Sequence, residues 1–274
     1  MGLFTRMTAV AAVAAAMMAV ASATDDHRGR VVSDSGRMAA DIQDGFDRFT
    51  KLLGDPDNGN EPAARRGRRS INWDADAVPF DMPPDFFAKN VPRGAIFKAK
   101  RDEFRVSNPP PKQHIVDNRF DSLNRRLAKQ LIVFSPGRLF TPLRDNEMEV
   151  HFEVPGRLGK RATTTGFGAV FADVDREHTT SLEFFDRHGR RLAKEFARAQ
   201  GGGLSFLGVV FDKPIVASVK ITLGNRKIMD SDRDGDVVVA DDFVGAAGCA
   251  ATVGWGEGGE YKPTRLRAIS SSAP

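Results

Sequence analysis

Glu149-Val-His-Phe-Glu-Val154 places Val150, Phe152 and Val154 on one side of an extended chain and Glu149, His151 and Glu153 on the other. Such alternation is what a strand with one wet face and one buried face requires. A little further on, Thr165-Gly-Phe-Gly-Ala-Val-Phe-Ala-Asp-Val174 is apolar on both sides over much of its length, the pattern of a central strand. Ser181-Leu-Glu-Phe-Phe-Asp186 follows, and Asp186-Arg-His-Gly189 has the chemistry of a hairpin connection. Outward from these segments, further strand-length runs lie at 95–98, 103–106, 131–134, 192–196, 204–211, 215–223 and 237–244, separated by Gly, Pro, Asn and Asp. About ten such runs without an intervening helical pattern predict an all-β domain, an antiparallel two-sheet β-sandwich of jelly-roll-like form.

Two glycine-rich pieces fall inside this region. Neither Gly166-Phe-Gly168 nor Gly201-Gly-Gly203 has the Gly-x-Gly-x-x-Gly spacing of a dinucleotide site or the Lys-Ser/Thr of a phosphate loop. The first reads as glycines inside a strand where another backbone comes close, the second as a flexible turn.

The segments flanking the strands differ in kind. Residues 1–8 carry one positive side chain, Arg6, residues 9–20 are a run of Ala, Val and Met, and Ala21-Ser-Ala23 has the small residues that signal peptidase reads. Residues 1–23 are therefore expected to be a cleaved leader and the product to be secreted; an organelle transit peptide would carry more arginine. Residues 24–70 have linker composition, with Met38, Ile42, Phe46, Phe49 and Leu53 recurring at spacings of three and four. That stripe predicts one short helix packed on the following domain, taken to span 71–245. Residues 246–274 are rich in Gly, Ala and Ser and are expected to be a disordered tail. Arg65-Arg66-Gly67-Arg68-Arg69 is the densest basic cluster, read as a solvated loop.

Composition narrows the partners. The 274 residues are 41% hydrophobic and 28% charged, and 40 Lys and Arg against 36 Asp and Glu leave a net charge of only +4, spread along the chain. A dedicated polyanion groove, and with it nucleic acid, is not expected. No segment after the leader is apolar for long enough to span a membrane. A single cysteine, Cys249, allows no intrachain disulfide.

Several phrases, Gly67-Arg-Arg-Ser-Ile-Asn-Trp-Asp74, Ser135-Pro-Gly-Arg-Leu-Phe-Thr-Pro142, Gly166-Phe-Gly-Ala-Val-Phe-Ala-Asp-Val-Asp175, Leu204-Ser-Phe-Leu-Gly-Val209 and Asp241-Asp-Phe243, occur in order. Together they resemble a poorly characterised family of exported proteins, many of whose bacterial members end in a PEP-CTERM sorting tail. The resemblance implies an exported, single-domain, β-rich protein without an assigned activity. This chain departs from the tailed members, since no apolar C-terminal segment followed by basic residues is present, and anchoring by that route is not expected.

The sharpest local signal is Asp230-Ser-Asp232-Arg-Asp234-Gly235-Asp236, with Asp241 at position 12. Carboxylates at positions 1, 3 and 5, glycine at 6 and an acid at 12 follow the ligand order of a calcium loop, although Asp at 12 is shorter than the usual Glu and position 9 is the non-ligating Val238. Two readings stand: a calcium-ordered loop held by Asp230, Asp232, Asp234, Asp236 and Asp241, or an acidic turn that binds nothing. Asp173 and Asp175, leaving the central strand, read as added ligands or as polar residues that end it. The five histidines have no metal-ligand spacing, and no nucleophile elbow or cysteine-protease signature is present. Trp73 reads as core, in preference to a sugar platform; Trp255 and Tyr261 fall in the tail. The expectation is a secreted, non-enzymatic module that binds extracellular polysaccharide or matrix. The alternatives are an extracellular glycan hydrolase whose carboxylates meet only on folding, and a self-assembling surface protein.

Overall fold

Strand β9 (Gly166–Val174) is buried along its whole length, so it needs apolar cover on both faces. The rest of the architecture supplies it. The computed structural model describes residues 29–61, 64, 66–108, 118–230, 235–246 and, for the backbone, 249–250. The expected leader lies outside them, as do residues 251–274 with Trp255 and Tyr261.

The strands run in the order β1 (Arg30–Gly36), β2 (Arg68–Ile71), β3 (Asp81–Met82), β4 (Ala95–Lys98), β5 (Phe104–Val106), β6 (Phe140–Pro142), β7 (Glu147–Phe152), β8 (Ala162–Thr163), β9, β10 (Ser181–Phe185), β11 (Arg191–Phe196), β12 (Gln200–Val210), β13 (Ser218–Thr222), β14 (Val239–Ala246) and β15 (Cys249–Ala250). Helix α1 (Ala39–Leu53) follows β1, and the four-residue α2 (Phe86–Lys89) precedes β4. One sheet of eight strands is ordered β1-β12-β9-β14-β6-β5-β3, with β2 also on β14; a second of five is ordered β11-β10-β13-β7-β4. Their paired strands are antiparallel. The chain is an all-β, two-sheet sandwich, as its alternation predicts.

Phe167, Ala169 and Phe171 of β9 join Phe97, Val150, Leu182, Phe184, Val219 and Ile221 of the smaller sheet in the core between the sheets. Gly168, Val170 and Ala172 face the other way, where a second core forms with Ile42, Phe49 and Leu53 of α1 and with Phe120, Leu127, Leu131 and Leu139. The large sheet is thus covered on both faces, by the small sheet and by a layer made of α1 and residues 118–139. The helical stripe behaves as its spacing predicts except at its start: Met38 is 59% exposed, whereas Ile42 and Phe49 are fully buried. Trp73 is also fully buried, stacked on Phe140 at 4.0 Å and edge-on to Phe87 and Phe243. It is core.

Four expectations need correction. The segment 24–70 is more than an approach to the sandwich, because β1 pairs with β12 along seven residues and β2 pairs with β14. Residues 131–134 form no strand; Leu131 is buried and Phe134 lies 4.9 Å from Phe46, so their apolar character serves the covering layer. Gly201-Gly-Gly203 is not a turn but part of β12, where the register to β9 shifts between Gln200 and Leu204. Gly202, at φ 63°, sits in this bulge and donates its amide to the Asp173 carboxylate at 2.6 Å.

The fourth concerns Gly168. It faces an aromatic ring, while Gly166 alone has backbone, the Val209 carbonyl, against it. Gly168 and Gly208 are cross-strand partners, and a Cβ on either would come within 2.7 Å or 2.6 Å of the Phe49 ring. The glycine pair is a seat for that ring, which locks α1 to the sheet. Adding a methyl at Gly208 overpacks this seat, so Gly208→Ala is expected to cost about 1–3 kcal/mol in urea unfolding. In a Phe49→Leu background the same change should cost clearly less, and a double-mutant cycle in urea checks the coupling.

Candidate functional site

Three of the five expected calcium ligands are described, and each has a different set of neighbours. Asp230 is exposed and accepts the Lys227 amide at 3.0 Å. Asp236 is fully buried and caps the turn after β9, accepting the amides of Asp175 (3.1 Å) and Arg176 (3.3 Å) and the hydroxyl of Thr179. Asp241 is fully buried and accepts the Phe134 amide at 2.6 Å. Positions 7 and 12 of the expected loop thus each accept backbone amides from elsewhere in the fold. Asp232 and Asp234 lie outside the described residues. Among the described residues no group of three His, Cys, Asp or Glu side chains is arranged to hold a metal ion. Asp173 and Asp175 likewise serve the turn and the bulge.

What the sequence did not suggest is a carboxyl cluster built on β14. Between Ala240 and Phe243 the register to β9 shifts, so that Asp241 and Asp242 form a bulge. In a regular strand neighbouring side chains point to opposite faces; a bulge re-aims them. Here the Asp241 and Asp242 carboxyls hydrogen-bond each other. Ser135 Oγ lies 2.8 Å from Asp242, 3.0 Å from Asp74 and 3.5 Å from Asp241. The Trp73 indole donates to the Asp241 carbonyl at 2.6 Å, and Asp74 accepts the Arg138 amide at 2.9 Å. The cluster thus clasps residues 134–138 to the sheet. Asp241 and Asp74 also take the Phe134 and Arg138 amides, which leaves the Ser135 hydrogen to Asp242, and the bond between Asp241 and Asp242 needs a proton on one of the two. Burial, followed by the Asp242 charge, pushes Asp241 well above the usual carboxylate range. Burial raises Asp242 to about 6, against the Ser135 hydrogen bond, and burial also raises Asp74.

The small sheet offers a second arrangement. Its inner face is core; its outer face has no covering element among the described residues. Register aligns Lys194 of β11, Glu183 of β10, Lys220 of β13, Glu149 of β7 and Lys98 of β4 in one row across all five strands. Charges alternate along it, with Lys194 on Glu183 at 3.0 Å, Arg191 on Glu183 at 3.5 Å, Lys220 on Glu147 at 2.8 Å and His151 on Glu149 at 2.8 Å. Burial pushes the Glu183 carboxyl up, but its bonds and charges from Lys194, Lys220 and Arg191 more than offset this and hold it below its ordinary value. Beside the row stand half-buried Phe185 and Ile96, and Phe196, which is 37% exposed with His178 edge-on at 5.0 Å and Lys194 Nζ 5.2 Å from its ring centre. The face is a platform of fixed donors and acceptors with an aromatic side chain at one corner.

Comparison with protein-family models, with curated proteins and with solved structures finds no match to this chain.

The carboxyl clasp has a pH consequence. A carboxyl raised to about 6 in the fold and near 4 when unfolded binds its proton more tightly in the native state. Stability from this group is highest below about pH 4 and falls as pH rises through about 6. Glu183 and Asp186, both lowered, act oppositely and remove stability only as pH falls below about 4. Urea unfolding is expected to lose stability between pH 4 and pH 7, the Asp242 share being on the order of 2–3 kcal/mol, and Asp242→Asn should reduce that slope without removing the part carried by Asp241.

Proposed function

We propose that this is an exported, non-enzymatic binding module that holds extracellular polysaccharide on the open face of its five-stranded sheet. The single observation that carries the reading is that this sheet, alone of the two large ones, leaves a broad face uncovered among the described residues. That face carries hydrogen-bonding side chains of both signs in near balance. Hydroxyl-rich polymers both donate and accept, and a row of paired Lys and Glu suits them; a polyanion would meet Glu183, Glu147 and Glu149 along the way. Phe196 offers an apolar ring to a sugar face at the price of displacing Lys194, whose bond to Glu183 remains available. Export is supported by the signal-peptide pattern of residues 1–23 and by the family resemblance. No helix of the described residues is long and apolar enough to cross a membrane.

The hydrolase alternative is disfavoured by the placement of the raised carboxyls. Asp241 and Asp242 lie under residues 134–135, bonded to backbone and to each other, instead of lining a cleft.

A glycan array with the exported chain should show binding to polysaccharide, no reducing-sugar release from the positive glycans, and about ten-fold weaker binding for Phe196→Ala, a ring contact's worth. A flat array from a folded protein that forms concentration-dependent oligomers would replace this reading with self-assembly.

A further inference from the structure

The chain between β7 and β8 contains Val154-Pro-Gly-Arg-Leu-Gly-Lys160. Pro-Gly in the middle of 154–157 and Leu-Gly in the middle of 157–160 suit two successive type II turns, which need a positive φ at their third residue. Both turns are formed. The Arg157 amide donates to the Val154 carbonyl at 2.8 Å and the Lys160 amide to the Arg157 carbonyl at 3.0 Å, with Gly156 at φ 75° and Gly159 at φ 80°. The Val154 amide closes the base on the Lys160 carbonyl at 2.8 Å, and the Glu153 carboxylate takes the Gly159 amide at 2.9 Å. The loop is held by its own hydrogen bonds and stands clear of the body, since a Cβ on Gly156 or Gly159 would meet nothing within 4 Å.

At its apex Leu158 is 59% exposed, and no large apolar side chain of the described residues is more so. Arg157, Lys160 and Arg161 around it are exposed too. None of the three stands within ion-pair distance of a carboxylate among the described residues. Strand β2 begins at this same end, its Arg68 opposite Ala246, whose carbonyl takes the Thr164 hydroxyl just past the hairpin; exposed Arg66 adds a cation there. The nearby acids Asp57 and Glu61 act on Arg93 and Arg69. A leucine ringed by unpaired cations suits an anionic lipid surface, where the cations meet headgroup phosphates and the leucine enters below them. A soluble polyanion would engage the cations and leave the leucine in water.

We propose that the 154–160 loop attaches the exported protein to a negatively charged lipid surface, with Leu158 at the boundary of headgroups and acyl chains and Arg157, Lys160 and Arg161 on lipid phosphates. Each cation near such a surface favours partitioning about five-fold and the leucine about ten-fold, so half of the protein binds near about 1 mM accessible lipid. The attachment is reversible and weakens with salt. Because the turns fix the loop beforehand, little is lost in ordering it. The loop is at the end of the sandwich and the charged row lies across the open sheet face, so lipid attachment does not depend on polysaccharide binding.

Cosedimentation of the exported chain with vesicles of phosphatidylcholine alone, and of phosphatidylcholine mixed with phosphatidylglycerol, tests it. The mixed vesicles should pellet the protein at low salt and release it at high salt, and phosphatidylcholine alone should not bind it. Leu158→Ser should weaken binding about ten-fold, and Arg157→Gln combined with Lys160→Gln about thirty-fold. These positions are exposed and the variants keep both glycines, so the fold is retained. Emission from Leu158→Trp should shift to the blue on mixed vesicles and not on dextran sulfate. No binding to the mixed vesicles, equal binding to both kinds, full binding by Leu158→Ser, or an unshifted Leu158→Trp emission would each overturn the proposal. Phe196→Ala should bind vesicles as the unmodified chain does, and the loop variants should keep any glycan binding, which separates failure here from failure of the polysaccharide reading.

Discussion

The structure depends on a strand that has no wet side. With Phe167, Ala169 and Phe171 directed one way and Val170 and Ala172 the other, β9 can be stable only if a layer lies against each face. The small sheet meets one demand. The helix and the irregular stretch 118–139 meet the other, and the Phe49 ring in its glycine seat fixes where that third layer sits. Because β9 lies between β12 and β14, their register passes through it. The two bulges that matter, at Gln200–Leu204 and at Ala240–Phe243, are both departures from pairing with this one strand.

Those bulges explain why polar groups are found so deep. Asp173 turns out of line at φ 67° and takes the amide that the extra glycines of β12 leave over. Asp241 and Asp242 fall where β14 passes from its pairing with β6 at Ala240 to its pairing with β2 from Phe243 onward. At that gap the side chains of Trp73, Asp74 and Ser135 and the amide of Phe134 supply partners to Asp241, Asp242 and each other. A buried carboxyl pair follows from a local failure of strand pairing, and the shared proton is the means by which it is tolerated.

How much of this could be read beforehand depended on whether a feature announces itself by periodicity. Glu149 to Val154 alternates because one face is wet, and the hairpin at Asp186 to Gly189 is written in turn residues; both were legible. Strand β1, Arg-Val-Val-Ser-Asp-Ser-Gly, was not, because an edge strand is held by backbone hydrogen bonds and has few apolar side chains to show. The reverse error arose at 131–134, where an apolar run covers a sheet without joining it. The Asp230 to Asp241 spacing suggested one convergent site, yet spacing says nothing of backbone partners: Asp236 accepts amides of the turn after β9, and Asp241 accepts the Phe134 amide. The carboxyl cluster could not be read from periodicity, since adjacent aspartates in a strand should face apart and only the bulge brings them together, although Asp74, Ser135, Asp241 and Asp242 all lie in the phrases that carry the family resemblance. The open face was equally silent: its row of five charges comes from five separate strands.

That row has an odd number of members, so its alternation ends on lysine at both rims, Lys194 on β11 and Lys98 on β4. Were a second molecule to lay its own rim alongside in the same row, ammonium would meet ammonium whichever rims were chosen. Edge-to-edge growth of sheets is the usual hazard of strands left without a neighbour. Here the parity of the pattern guards both margins at once, and the face keeps its near-neutral balance while its borders stay mutually repellent.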